Sequence, residues 1–476
     1  MKFSNVIIST AAACMFSFSC HANASLENLP EYNQWIEHAN TIGKYYLYKD
    51  AQGVPLGNFP TWRCNDGKLR NNKLCPGEPK LGGMKVAFVY DYLRMQSRQT
   101  FAYGALFNLT GNPEYLKLHK AGVKFILEKG RDPKGGYFTY FQKGEPLPED
   151  PGERTAQNLS YAIVGLAMNA YLTHDPKVIK EIMDTQKFIY DNYFDKDKGY
   201  LVWAFKDSVE NKASQIELVA QLDQIYAYLY STWRLVPEAK QEYWTQVIKD
   251  TIGYINKNFY DEKTNRYHGC LDNKSCFSYL SGRHTDYGHR VKCFWVQYLC
   301  ASMIGDKDLM AFAKKGMLDT LKDAETLNKD SWFDSDTKDE ASWWAYAELD
   351  QVALTLALTD DYDLPKTLLS WINEMTDHEY GEMKAFMKTH FWRNGFHSTE
   401  HALIGTILSN AIRAKECADD KCKVENEVPL YFAPVNKEDR KFSPYYYSGD
   451  VVKVENEKNG IEKVVFNNIT LPVLAK

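Results

Sequence analysis

The sequence predicts an all-α (α/α)6 toroid with a short β-rich C-terminal extension, and three observations carry that prediction. A two-helix phrase recurs at least four times. One helix of each pair is apolar nearly all round while its partner keeps a wet face. Strand-forming residues gather after Cys422.

The phrase is a helical segment, a turn of Gly or Asp with Pro or Lys, a second amphipathic helix, and an aromatic loop with Asp and Gly. Its first copy takes in residues 98–109, the turn Thr110-Gly111-Asn112-Pro113, a helix over 114–129 and a loop over 132–138. The second takes in 157–172, Thr173-His174-Asp175-Pro176, a helix through Ile189 and a loop over 195–200. Later copies run from Ile216 through a helix over 242–258 to Tyr267, and from His289 through Gly305-Asp306-Lys307-Asp308 to Trp332-Phe333-Asp334. Two shorter ones begin near Trp343 and His397. A helix pair cannot bury its apolar face alone, so pairs stack on neighbours and six can close a ring. Residues 162–168 and 352–358 are almost wholly apolar, as inner helices covered on several sides require, whereas 114–120 carries Lys and Glu suited to an outer helix.

In the tail, 428–432, 445–447, 451–454 and 464–466 are strand-prone and Asn459-Gly460 marks a hairpin turn. Lys/Glu alternation places this tail at the surface. The chain therefore divides into an export signal over 1–24, a toroid over 25–415 and an extension over 416–476. Lys2, the apolar stretch 6–18 and Ala22-Asn23-Ala24 form the signal, with cleavage expected after Ala24 and a periplasmic or secreted destination. Cys20 lacks the aliphatic residue three positions upstream that a lipidated Cys requires. No later stretch approaches the roughly 20 apolar residues of a membrane span.

At 476 residues, 44% hydrophobic and 25% charged, the chain can bury a large globular core. A net charge of -5 without a dense Lys/Arg run excludes nucleic acid as a partner. The sequence leaves the oligomeric state open. Cys64 and Cys75, Cys270 and Cys276, and Cys417 and Cys422 bracket short polar loops, the pattern of disulfides in an oxidising compartment; metal spacing such as Cys-x-x-Cys is absent. Cys293 and Cys300 share a helix face and read as buried thiols.

A closed helical ring has its natural cleft at the mouth where inner helices begin. Residues near those starts are Arg98, Asn158, Gln221 with Asp223, His289, Trp343 with Glu348, and His397, with His401 one turn beyond. Aromatic faces stack on a pyranose while amide and charged groups bind hydroxyls, so this inventory suits a small sugar. No phosphate-binding glycine loop is present, and no cofactor is expected. Moving a proton α to a carbonyl needs one group to take it and another to return it. Two imidazoles, with pKa values about 6.5, fill both roles at neutral pH.

The segments Asp286-Tyr287-Gly288-His289, Trp343-Trp344-Ala345-Tyr346-Ala347-Glu348 and Gly395-Phe396-His397, in that order, resemble the signatures of the N-acylglucosamine 2-epimerase superfamily, which includes cellobiose epimerases and mannose isomerases. The resemblance runs from about residue 60 to residue 414 and leaves the tail outside. It implies an aldose 2-epimerase or aldose-ketose isomerase acting on a free reducing sugar through an enediol-like intermediate, without metal or redox cofactor. His289 and His397 would be the general acid and base and Arg98 a substrate contact. Glu348 would bind a sugar hydroxyl, orient a histidine or join a salt bridge. Lys292 departs from the pattern, standing where the family has Glu. It reads as a ligand for an acidic group on the sugar or as a base, and its charge disfavours protonation of His289. Ser160-Tyr161 stand where several relatives have a third His, and Asp223 where His or Asn is usual. Two other classes stay open: an inverting glycoside hydrolase using Asp223 and Glu348, and a non-catalytic sugar binder.

Overall fold

The computed structural model describes residues 26–476 apart from 71–74, 77–87, 89, 148–153, 206–214, 272–275, 277–281, 439–440 and 475–476. The expected export signal and its cleavage site lie outside the described residues. Helix α1 (Tyr32–Leu47) precedes a series of helical hairpins. The first pairs α2 (Leu93–Thr110) with α3 (Pro113–Phe125), and the second pairs α4 and α5 (Ala156–Ala162 and Val164–Thr173) with α6 (Pro176–Tyr193). In the third, α7 (Leu218–Gln224) and α8 (Tyr230–Thr232) are joined by a π turn and return through α9 (Glu238–Phe259). Then come α10 (Tyr287–Ile304) with α11 (Lys307–Ala324), and α12 (Trp343–Leu358) with the short α13 (Thr367–Ser370). Helices α14 (Phe396–Lys415) and α15 (Asp420–Glu425) end the helical part.

The recurring phrase is the corner of each hairpin, and its chemistry is local. Gly111, His174 and Gly305 adopt left-handed conformations at the C-termini of α2, α5 and α10. Asn112, Asp175 and Asp306 follow directly and accept hydrogen bonds from the first backbone amides of α3, α6 and α11. Pro113 and Pro176 occupy the first helical position, where a missing N–H costs nothing.

Helices α2, α5, α7, α10, α12 and α14 are buried almost throughout and form the inner ring. Contacts run from α2 to α5, α4 to α7, α10 to α12, α12 to α14 and α14 back to α2, and an ion pair between Asp223 and Lys292 spans α7 and α10. Close approach depends on glycine: a Cβ on Gly165 would lie 2.7 Å from the Ser97 carbonyl oxygen, and one on Gly288 would lie 2.7 Å from the Ala345 Cβ. The outer partner of α14 is α1, which packs on α14 and α2. The sixth pair thus joins the two ends of the toroid, which a reading that opens its first repeat at Arg98 does not foresee. The three expected disulfides are formed, and Cys293 and Cys300 are buried thiols. Among the described residues no helix is long and apolar enough to cross a membrane.

The tail contains an antiparallel sheet of β1 (Val428–Phe432), β2 (Ser448–Asn456) and β3 (Glu462–Thr470) in the order β1-β3-β2, with Asn459 and Gly460 turning between β2 and β3. Strand β2 is the wet, charged edge that Lys/Glu alternation predicts. The surface placement does not extend to the rest of the tail, and Tyr445-Tyr446-Tyr447 is not a strand. Those three rings are buried against the ends of the inner helices opposite the mouth. Tyr446 accepts from Tyr230 Oη at 2.9 Å through its carbonyl, Tyr447 Oη meets Thr355 Oγ1 at 2.8 Å, and Tyr445 Oη donates to Glu400 at 2.7 Å. The extension is a stopper for the far end of the ring.

Several histidines are buried in neutral form. Burial holds His38 at about 3, aided by His401, and holds His119 at about 4. The unfolded chain binds these protons below about pH 6.5 while the folded chain refuses them, so stability falls as pH drops through that window, by about 1.4 kcal/mol per pH unit for each histidine. His397 acts in the same direction, whereas the carboxyls of Asp91 and Glu348, raised by burial to about 6 and about 8, oppose it. With the histidines in the majority, the melting temperature is expected to fall steadily between pH 6.5 and 4.5. A flat or rising profile in thermal melts would contradict this.

Candidate active site

The mouth of the ring holds a cavity of about 370 Å³, within the roughly 300–1,000 Å³ range of small-molecule sites. Of the residues expected from sequence, Arg98, Asp223, His289, Lys292, Trp343 and His397 line it. Asn158 and Gln221 do not. Asn158 accepts from the Arg94 guanidinium at 3.0 Å, and Gln221 spends its amide on both the N–H and the carbonyl of Leu201. Gln157, the neighbour of Asn158, is the residue on the wall. Glu348 is wholly buried behind the wall and does not touch the cavity.

Helix α10 sets out the first half of the site. Asp286 caps it, accepting the His289 N–H at 2.9 Å through one oxygen and facing His289 Nδ1 at 2.7 Å through the other. Burial would raise the Asp286 carboxyl, but the charge and hydrogen bonds of His289 hold it below its ordinary value. An ionised Asp286 only accepts, so Nδ1 of His289 carries a proton, and Nε2 is the ring nitrogen that Asp286 leaves available. The ring is held edge-on by Trp344 and by His284, with centroids 4.5 and 4.7 Å away. Burial first, then the charge of His289, lowers His284 to about 3 and keeps it neutral.

Lys292 is three residues along the same helix. Its ammonium is 3.6 Å from Asp223 and 3.9 Å from Glu348, and it lies 4.5 Å over the ring of Tyr226. Burial acts to lower its pKa, but the oxygens of Tyr161, Asp223 and Glu348 outweigh burial and raise it. A raised Lys292 ammonium favours the reading of it as a ligand for an acidic group over the reading of it as a base. Asp223 also accepts from Gln157 at 2.7 Å and Tyr161 at 3.3 Å.

Helix α14 supplies the second half. His397 Nε2 is 2.7 Å from an Arg98 nitrogen, and because guanidinium only donates, Nε2 accepts. Nδ1 then carries the proton and lies 3.4 Å from Glu348 without hydrogen-bond geometry. Burial, then Arg98 and Lys292, drives the His397 pKa well below its ordinary value. The two histidines are therefore unlike: His289 presents a free nitrogen, while His397 is neutral with its outward nitrogen covered by Arg98. Burial raises the Glu348 carboxyl to about 8 against the pull of Lys292. One turn below His397, Glu400 takes hydrogen bonds from Tyr226 and from Tyr445 of the tail. The site thus rests on the C-terminal stopper.

A sequence model of the N-acylglucosamine 2-epimerase (GlcNAc 2-epimerase) family matches residues 89–384, more than half of the chain. The protein belongs to this family. The match includes α2 through α13 and hence His289, Lys292 and Glu348, but ends before His397 and the tail. A curated relative, cellobiose 2-epimerase of Bacteroides fragilis, is 24% identical over 235 residues, which take in 46% of this chain and 56% of that protein. The chain thus spans a little over half the length of that relative. Among solved structures, cellobiose 2-epimerase from Bacillus thermoamylovorans superposes with a TM-score of 0.61 at 13% identity, over 78% of this chain and 97% of that one. A D-mannose isomerase superposes with a TM-score of 0.61 at 14% identity and the same coverage. At these identities the structures establish a shared toroid and leave the chemistry to the site.

Within this GlcNAc 2-epimerase family member, sequence reasoning missed Tyr161 as a wall residue and also Gln157, Trp203, Arg283, His284, Trp344, His390 and Trp392. His284, His390 and Trp392 sit on loops between helices, where helix starts give no signal. Trp343 and Trp344 both face the cavity, and among the described residues the buried Trp343 indole nitrogen has no hydrogen-bond partner.

Proposed function

We propose that this protein is a carbohydrate epimerase or aldose-ketose isomerase that moves the C2 proton of a free reducing sugar, with His289 as the general base. The observation that carries this reading is the Asp286–His289 dyad, which fixes a free imidazole nitrogen on the wall of a cavity rich in tryptophan. Family membership supports the reaction class. The open-chain aldehyde makes the C2 proton acidic, His289 removes it, and the enediol oxygen is stabilised by the cations on the wall. Arg98 is mobile in this account: a substrate oxygen that takes its guanidinium uncovers His397 Nε2, which then serves as the second proton-transfer group. Lys292 stays charged and binds. Glu348 is a positioning residue behind Lys292 and His397. Trp343, Trp344, Trp203 and Trp392 offer faces for the pyranose ring.

The hydrolase reading has less support. An inverting pair must flank the scissile bond with room for water. Glu348 has no access to the cavity, and the oxygens of Asp223 are engaged by Gln157, Tyr161 and Lys292. The disulfides support an oxidising compartment, and we place the mature chain, from Ser25, in the periplasm or beyond. On this reading residues 25–415 bear the chemistry and 416–476 support it. Chromatography with mass detection separates the classes: a new sugar of unchanged mass is expected. Accumulation of shorter saccharides with new reducing ends would replace the epimerase with a hydrolase.

A further inference from the structure

The cavity is short of negative charge. Arg98 is buried, yet among the described residues no carboxylate lies within ion-pair distance of it; its partners are the Trp392 carbonyl at 2.8 Å, His397, and the rings of Tyr161 and Phe396 at 4.8 and 5.0 Å. Lys292 is 2% exposed, and its ammonium has carboxylates at 3.6 and 3.9 Å, both beyond hydrogen-bond length. Of those two, Glu348 lies behind the wall, and Asp223 is shared with hydrogen bonds from Gln157 and Tyr161. Asp223 is also the one carboxylate on the described wall, which carries three cations, Arg98, Lys292 and Arg283. Arg283 is half exposed and pairs with Glu217 at 3.3 Å outside the wall.

Buried cations are costly unless paired, and a ligand that supplies the missing charge recovers that cost on binding. Resting on the epimerase or isomerase reading, we propose that the substrate is an acidic aldose, a sugar with a free reducing end and a carboxylate that seats against Arg98 and Lys292. A carboxylate fits both cations: guanidinium offers it parallel N–H groups, and the ammonium adds a point charge. Its arrival also draws Arg98 from His397 Nε2, so recognition of the acid group and release of the second histidine become one event. A neutral sugar hydroxyl competes poorly for the same guanidinium.

Titration calorimetry of the wild-type protein with glucuronate, galacturonate and mannuronate against glucose, galactose and mannose tests this. Each uronate is expected to bind at least tenfold more tightly than its parent aldose, with the preference shrinking in 0.5 M salt. Lys292→Met is expected to abolish the preference, and the wild-type comparison decides the matter should that variant fail to fold. Equal or tighter binding of the neutral aldoses would overturn the proposal. Tighter binding of 6-sulfated aldoses than of uronates would also overturn it, by assigning the site to another anion. Following exchange of the C2 proton in the same samples separates the two readings. Exchange of neutral aldoses with inert uronates rejects the acidic substrate and keeps the reaction; selective uronate binding with no exchange in any sugar keeps the charge assignment and rejects the reaction.

Discussion

Replacing His289 with Ala is expected to lower the rate of C2 proton exchange by a factor of about 10² to 10⁴, the usual contribution of a positioned general base. The fold should survive, because among the described residues the ring hydrogen-bonds only Asp286, and it packs beside Trp344 and His284 at the mouth of the cavity. Asp286 also caps α10 through the His289 amide, so Asp286→Asn keeps the cap while removing the charge that fixes the His289 tautomer. That variant should lose rate with little change in melting temperature. The corresponding loss in His397→Ala is also expected, with a different signature. His397 is covered by Arg98 in the resting site, so its removal changes sugar affinity as well as rate. Full activity in His289→Ala, with native melting, would remove His289 from the mechanism.

Truncation after Glu427 is expected to prevent folding. Val428, Leu430, Phe432, Tyr447, Val464 and Phe466 are each at most 1% exposed, and Tyr445 and Tyr446 are buried as well. Each such side chain contributes about 1.5–3 kcal/mol on burial, so together they match or exceed the roughly 5–15 kcal/mol by which a domain is stable. Losing them also uncovers Glu400 at the base of the site. Insoluble protein, or a species without a cooperative melt, is the expected result. A soluble truncated chain with the native melting temperature would show that the stopper is dispensable. Tyr447→Phe is the mild form of the same test, with an expected loss of about 1 kcal/mol from the hydrogen bond to Thr355.

The toroid was legible because its corners are local chemistry. A left-handed residue is followed directly by an Asn or Asp cap, with a proline next at two of the three corners, and this sequence marks a helical hairpin whatever the surrounding fold. The closing pair was not legible, since α1 and α14 lie at opposite ends of the toroid and nothing local joins them. At the site, helix starts located the mouth but could not orient neighbouring side chains. Adjacent residues on a helix point about 100° apart, so Gln157 rather than Asn158 faces the cavity. Gln221 and Asp223, two apart, cannot share a face, and only Asp223 is on the wall. Lys292 was visible as an anomaly of charge. Its pairing with Asp223 and Glu348 required three helices to be set side by side. The tyrosines of the tail read as strand because aromatic residues favour sheets, whereas tertiary packing placed them inside the ring.

The most direct test of the account is proton NMR of the wild-type protein with reducing sugars, uronic acids included, in deuterated water. Loss of the C2 proton signal as deuterium replaces it, in step with the appearance of an epimer or ketose, is the predicted result. Clean spectra across the panel, with sugars bound and unchanged, would contradict it and leave a binding protein on an epimerase fold.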